Sequence, residues 1–195
     1  ANGKAFLSYD LPGYFIDYIP LAGATKLVFT FENADQPSQP RPDGFREPWG
    51  GMWLHNRGYA VIGVKPKLVE WYRGRDLHEF FRSEELQSLV SQFEQVFLYG
   101  SSMGGFAAMA FADAIPGATV IAFTPQSTLD PTLVPWDTRY EEGRKQDWTG
   151  DFADARIGAS KAKSVFVAYD PLFKPDRKHI ERLDQSNLIA FKMPL

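Results

Sequence analysis

No cysteine occurs among the 195 residues. Disulfides, thiolate nucleophiles and cysteine-ligated zinc are therefore excluded, and the chain suits a reducing compartment, so the expected location is cytoplasmic. A dominant charge of either sign is lacking too: 24 acidic and 21 basic side chains give a formal net charge of -3. No broad field is available to hold nucleic acid or an anionic membrane, which leaves a small or neutral partner as the expectation. The opening ANGKAFLSYD lacks the basic start and apolar run of a secretory signal, as a mature or trimmed chain also would. Long hydrophobic runs are scarce. The stretch from Gln95 to Ala112 is uncharged, but Gly100, Gly104 and Gly105 with two serines split it into a short β-branched and aromatic piece and an alanine-rich piece. It does not read as a membrane span, and no membrane insertion is expected.

What is present fits one globular domain over residues 1–195, with 44% hydrophobic and 23% charged residues. Short apolar runs recur: KLVFTF from Lys26, GYAVIGV from Gly58, QVFLYG from Gln95, ATVIAF from Ala118, SVFVAYD from Ser164 and NLIAF from Asn187. Such runs suit strands buried on both faces. Between them lie helical patterns, the clearest starting at Ser83 as N-cap, with Glu84 and Glu85 in the first turn and Leu86, Leu89, Val90 and Phe93 on one face. Strand alternating with helix predicts an α/β fold with a doubly wound, mostly parallel sheet. KAFLSYD and YFIDYI around Pro12 and Gly13 predict a hairpin forming an antiparallel edge. Two polar, proline-bearing insertions, Asn33 to Pro48 and Pro125 to Lys163, are expected over the carboxyl ends of the strands, the second as a lid carrying Trp136, Tyr140 and Trp148.

Gly100-Ser101-Ser102-Met103-Gly104 has the G-x-S-x-G spacing, preceded by a strand and followed by an alanine-rich helix that Pro116-Gly117 ends. The chemistry needs a sharp strand-to-helix turn that pushes the serine hydroxyl clear of the chain, and small residues two places before and after relieve the crowding. A glycine-rich turn holding a phosphate is the plainer alternative. With this motif in this context, the chain from about Lys26 to Leu195 resembles the α/β-hydrolase superfamily. YGSSMGG with its alanine-rich helix is most similar to small bacterial hydrolases of surface-polysaccharide and glycoprotein-export loci.

The resemblance implies Ser102 as nucleophile and an oxyanion hole from the backbone N–H groups of Met103 and Asn33, with Glu32 the adjacent alternative to Asn33. It implies an acid just past the penultimate strand, for which Asp170 and Asp176 compete, Asp176 also being suited to capping the helix RKHIERL. It implies a histidine after the last strand, and none of His55, His78 and His179 holds that place. His55 in MWLHNRGY reads as late in a helix ended by Gly58, His78 as a surface residue with lining the pocket as the alternative, and His179, in the first turn of the helix after Asp170, as the one substitute base worth testing. The expectation is an incompletely represented domain whose general base follows Leu195.

The function expected is acyl transfer: Ser102 attacks an ester, thioester or activated acyl carbonyl, and water or an alcohol resolves the acyl-enzyme. No cofactor and no metal are needed. The partner expected is a small-molecule acyl substrate, with carbohydrate-linked esters among the candidates, since Trp49, Trp53, Trp71, Tyr72, Trp136 and Trp148 could stack on sugars as well as pack the core or lid. Hydrolase and acyltransferase differ only in the acceptor. A hydrolase-like scaffold without a base, serving as a binding module, is the non-enzymatic alternative.

Overall fold

The computed structural model describes residues 7–34, 46–183 and 185–194. Strands β1 (Leu7–Asp10) and β2 (Tyr14–Ile19) form the expected hairpin, closed by reciprocal backbone bonds between Leu11 and Tyr14 around Pro12 and Gly13. The remaining elements are β3 (Lys26–Phe31), α1 (Gly51–His55), β4 (Ala60–Pro66), α2 (Arg75–Arg82), α3 (Glu84–Val90) and β5 (Gln95–Ser101). They continue with α4 (Met103–Phe111), β6 (Thr119–Phe123), α5 (Glu141–Arg144), α6 (Ala155–Lys161), β7 (Ser164–Tyr169), α7 (Lys174–Glu181) and β8 (Leu188–Lys192). Each of the six apolar runs is a strand within two residues of its expected bounds.

One eight-stranded sheet results, ordered β1-β2-β4-β3-β5-β6-β7-β8. The β1–β2 and β2–β4 pairs are antiparallel, and all the others are parallel. The central strands are covered on both faces, as their unbroken apolar runs require: every residue of β4 is buried, and every residue of β3 after Lys26. A charge lies within this region. Lys65 of β4 is fully buried and ion-paired with Asp17 of β2, which also accepts from Ser8 Oγ at 2.8 Å, while Lys65 Nζ donates to the Arg46 carbonyl at 2.8 Å. A buried cation survives because it is paired and fully bonded.

Helix α4 has no amphipathic period because all nine of its residues are buried. It ends at Phe111, so Ala112 and Ala114 lie beyond it, in the turns leading to Gly117. Helix α6 lies against α4 so closely that a Cβ on Gly158 would stand 2.2 Å from the Met109 carbonyl oxygen. The Ser83 cap of α3 forms as expected, its Oγ accepting from Leu86 N–H at 3.2 Å.

Candidate active site

Strand β5 ends at Ser101 and α4 starts at Met103, so Ser102 alone makes the turn. Its backbone adopts φ 51 and ψ -119, a region where a Cβ crowds its own chain. The surroundings hold it there. Ser102 N–H donates to the Phe123 carbonyl at 2.8 Å, and Phe106 N–H donates to the Ser102 carbonyl at 2.9 Å. A Cβ on Gly100 would lie 2.2 Å from the Gly104 carbonyl oxygen, and one on Gly104 would lie 2.3 Å from that of Phe31. The two glycines of the motif are thus required by backbone contacts. Ser102 lines a cleft of about 670 Å³ with Ala34, Val69, Glu70, Trp71 and Tyr140 among its walls.

The strand register brings the other expected residues to the same edge. Phe31 pairs with Gly100, Ser101 with Phe123, Phe123 with Ala168 and Ala168 with Phe191. Two residues past Phe31 stands Asn33, level with Ser102. The preceding residue is well anchored: the Glu32 carbonyl accepts from Tyr72 Oη at 2.7 Å, and its carboxylate takes two bonds of 2.9 Å from Arg46. Met103 is the first residue of α4, so its N–H has no acceptor within the helix. Asp170 follows β7 directly, and its Oδ1 accepts from Leu172 N–H at 2.8 Å. Two inter-strand steps separate β5 from β7, so the backbones at Ser102 and Asp170 stand about 10 Å apart, room for an intervening ring. Met193 N–H donates to the Tyr169 carbonyl at 2.9 Å, so the chain leaving β8 runs beside Asp170.

The histidines are committed elsewhere. His179 is fully buried, and its Nδ1 accepts from Ser127 N–H at 3.0 Å, which places the ring proton on Nε2, 2.8 Å from Asp137 Oδ2. Ser127 Oγ lies 2.9 Å from the same Nδ1 and also accepts from Arg182 at 2.6 Å. Asp137, His179 and Ser127 therefore form an Asp–His–Ser chain, but its serine is fully buried and its imidazole already takes a backbone N–H. Burial pushes the His179 pKa down, against the pull of Asp137. Burial also acts to raise the Asp137 pKa, but hydrogen bonds from His179 and Arg139 outweigh it and hold the carboxyl well below the usual range. None of the described bonds of His179 reaches Ser102, and the residue sits in the second turn of α7 instead of the first.

Two further expectations need correction. Asp176 does not cap α7, whose cap position is Phe173; it lies in the first turn, where its carboxylate accepts from Arg139 at 3.0 Å. His78 is half-buried and not a plain surface residue: its Nε2 is 2.9 Å from the Tyr72 carbonyl and its ring packs on Phe152, while it lines a surface pocket with Arg73 and Arg82. His55 ends α1 as expected, and is buried with Nε2 3.1 Å from the Pro20 carbonyl.

Of the insertion Asn33 to Pro48, residues 35–45 lie outside the described residues. The second insertion divides. Its last part, α6, packs on α4 under the sheet edge, whereas Tyr140, Glu141, Glu142, Gly143 and Gln146 line the cleft with Ser102. That part is firmly tied: the Arg73 guanidinium donates to the carbonyls of Asp147, Thr149 and Asp151 at 2.9, 3.1 and 3.0 Å, and Trp148 Nε1 donates to Gly143 at 2.9 Å. Trp71, Tyr72 and Trp148 are buried packing residues, Trp49 stacks on Tyr99, Trp136 packs on His179, and Trp53 is exposed beneath Arg57. Gln126 carries no sequence signal, and its Oε1 lies 3.4 Å from Ser102 Oγ, where only the fold brings it. Tyr140, expected as part of the lid, lines the same cleft as Ser102.

Among the described residues no helix is long and apolar enough to cross a membrane. No protein-family model matches the chain, and no curated protein does. Solved structures do. The capsule O-acetyltransferase of Neisseria meningitidis serogroup A superposes with a TM-score of 0.60 at 13% identity, covering 99% of this chain and 90% of that one. A fluorophosphonate-binding serine hydrolase of Staphylococcus aureus gives 0.57 at 13% identity, covering 98% and 90%. The S-formylglutathione hydrolase of the same organism gives 0.58 at 12% identity, covering 98% and 91%. Together with the strand order, these establish an α/β-hydrolase fold.

Proposed function

We propose that this α/β-hydrolase fold serves acyl transfer through a covalent acyl-enzyme on Ser102. The strained turn at Ser102, which places the hydroxyl in the cleft, carries the reading. Ser102 Oγ attacks the acyl carbonyl, the N–H groups of Met103 and Asn33 hold the oxyanion, and Asp170 is the acid that would orient a general-base imidazole beside the serine. The substrate is a small ester or thioester. Hydrolysis is the primary branch. Transfer to an alcohol, carbohydrate-linked or otherwise, is the second, and a capsule O-acetyltransferase among the structural neighbours supports it. A binding module without turnover is the third reading, favoured by the commitment of all three histidines to other partners.

Turnover of a panel of p-nitrophenyl and thioesters by the full natural chain separates them. Ser102→Ala is expected to abolish hydrolysis, and Asp170→Asn to lower kcat by about 10⁴-fold while leaving thermal stability nearly unchanged. Asp176→Ala should lower stability and spare kcat, because its carboxylate faces Arg139. Wild-type and Ser102→Ala rates that coincide would remove the enzymatic reading, and a collapse of kcat in Asp176→Ala alone would exchange the roles of the two aspartates.

A further inference from the structure

We propose that Gln126 is a catalytic residue of this site, accepting one hydrogen of the water that attacks the acyl group on Ser102 and so favouring water over an alcohol as the acceptor. The inference rests on Ser102 being the nucleophile. Ser102 Oγ donates to Gln126 Oε1 at 3.4 Å, and the direction is fixed because an amide oxygen carries no hydrogen. Gln126 Nε2 donates to the Thr124 carbonyl at 3.2 Å. The opposite amide orientation would set Oε1 against that carbonyl oxygen, so the oxygen is the atom that faces the serine.

The amide is buried, Gln126 being 1% exposed, and its segment leaves β6, the strand between those that precede Ser102 and Asp170. That segment is fastened on both sides of Gln126. Before it, the Phe123 carbonyl accepts from Ser102 N–H at 2.8 Å, and Thr124 N–H donates to the Ala168 carbonyl at 2.7 Å. Pro125 packs so closely on α4 that a Cβ on Gly105 would stand 2.9 Å from the proline Cβ. Thr124 takes φ 42, a costly value for a β-branched residue that only firm surroundings maintain. After it, Ser127 N–H donates to His179 Nδ1 at 3.0 Å, and the Ser127 carbonyl accepts from Ala155 N–H at 2.8 Å. The buried chain of Asp137, His179 and Ser127 thus anchors the residue next to the acceptor.

Acylation replaces the hydroxyl hydrogen of Ser102 by the acyl carbon, so Gln126 Oε1 loses the donor it has in the resting enzyme. A buried acceptor without a donor is destabilising. Water makes good the loss because it carries two hydrogens, one for the general base and one for Gln126. An alcohol carries one, which the base takes, and its attack leaves Gln126 without a partner. The difference amounts to about 10- to 100-fold in rate. The step balances without any transfer to Gln126. The base takes one proton of the water, the water oxygen bonds to the acyl carbon, and the carbonyl pair moves to oxygen. On collapse the Oγ–C bond breaks, Ser102 Oγ recovers the proton from the base, and the acid departs. The second hydrogen stays on the water oxygen throughout, and the restored Ser102 hydroxyl donates to Gln126 again.

The test is how one acyl-enzyme divides between two acceptors. The full natural chain is given p-nitrophenyl acetate with added methanol, and acetic acid and methyl acetate are both measured. Their ratio compares two fates of the same intermediate, so a merely slower acylation cancels from it. Gln126→Met keeps the length of the side chain without its acceptor, and should raise methyl acetate relative to acetic acid by about 10-fold. Gln126→Asn, which withdraws the amide oxygen by one methylene, should shift the ratio the same way and guards against a Met variant that folds poorly. A ratio within about twofold of wild type in the variants that fold would overturn the role of Gln126 and leave the nucleophile intact, provided Ser102→Ala releases no p-nitrophenol. Wild-type release no faster than that of Ser102→Ala would overturn the nucleophile, and this inference with it.

Discussion

Ser102 holds φ 51 and ψ -119 while carrying a Cβ, and this conformation is destabilising by about 1–3 kcal/mol where a glycine would bear it freely. Glycine also gives the unfolded chain more freedom, an opposing effect of about 0.4–1 kcal/mol. Ser102→Gly is therefore expected to raise the free energy of unfolding by about 1 kcal/mol in urea titrations, whereas Ser102→Ala, which keeps the Cβ, should not. A glycine variant less stable than the alanine one would show that the turn is relaxed. The serine was legible in the sequence because the motif spacing marks the turn: Gly100 crowds the Gly104 carbonyl within it, while Gly104 is required by the Phe31 carbonyl of the neighbouring strand. Gln126 was not, because its approach to Ser102 depends on how the segment after β6 folds back, the segment from which Tyr140, expected only as part of a lid, reaches the cleft.

At the scale of elements, the root of the cover and α7 are joined by one buried polar chain. Asp137 and Ser127 come from the segment after β6, His179, Asp176 and Arg182 from α7 and its end, and Arg139 bridges Asp137 to Asp176. His179 must be neutral to accept from Ser127 N–H, and burial lowers its pKa from 6.5. The folded state thus binds this proton less readily than the unfolded chain, so the contribution of His179 is complete above the ordinary value of 6.5 and declines as pH falls toward the lowered one. Wild type is expected to be roughly 2–4 kcal/mol more stable than His179→Ala at pH 8, with the difference shrinking as pH drops below 6.5. Urea unfolding of both proteins at several pH values measures it, and a difference that grows on acidification would reverse the assignment. The reading of Asp176 as a cap failed for a related reason. Its spacing suited a helix start, but Arg139, from a distant part of the chain, decides what it bonds. Strands β3 and β4 were readable because burial on both faces leaves little choice of residue type. Strand β8 carries the same kind of apolar run but lies at the sheet edge with Ile189 and Phe191 exposed, so its expected burial on both faces is not met. Helix α4 offered no periodicity, being buried all round, and was readable only through its small residues and its place after the motif.

Across the whole molecule, the parallel order β4-β3-β5-β6-β7-β8 sends every connection after a strand's carboxyl end to one edge of the sheet. Asn33, Ser102 and Asp170 come from three different strands and share that edge because the register aligns them, a relation that a linear sequence carries only through recognition of the fold. The same edge gathers Tyr140 and Gln126 over the serine. The Asp–His–Ser chain at Ser127 lies in the closed interior, so accessibility separates two serines that sequence and hydrogen bonding alone would leave in competition. Peptide mapping after treatment of the full natural chain with a fluorophosphonate therefore tests the account most directly. The account predicts a single adduct on the peptide bearing Ser102, lost in Ser102→Ala; an adduct on Ser127 or any other serine, or none at all, would contradict it.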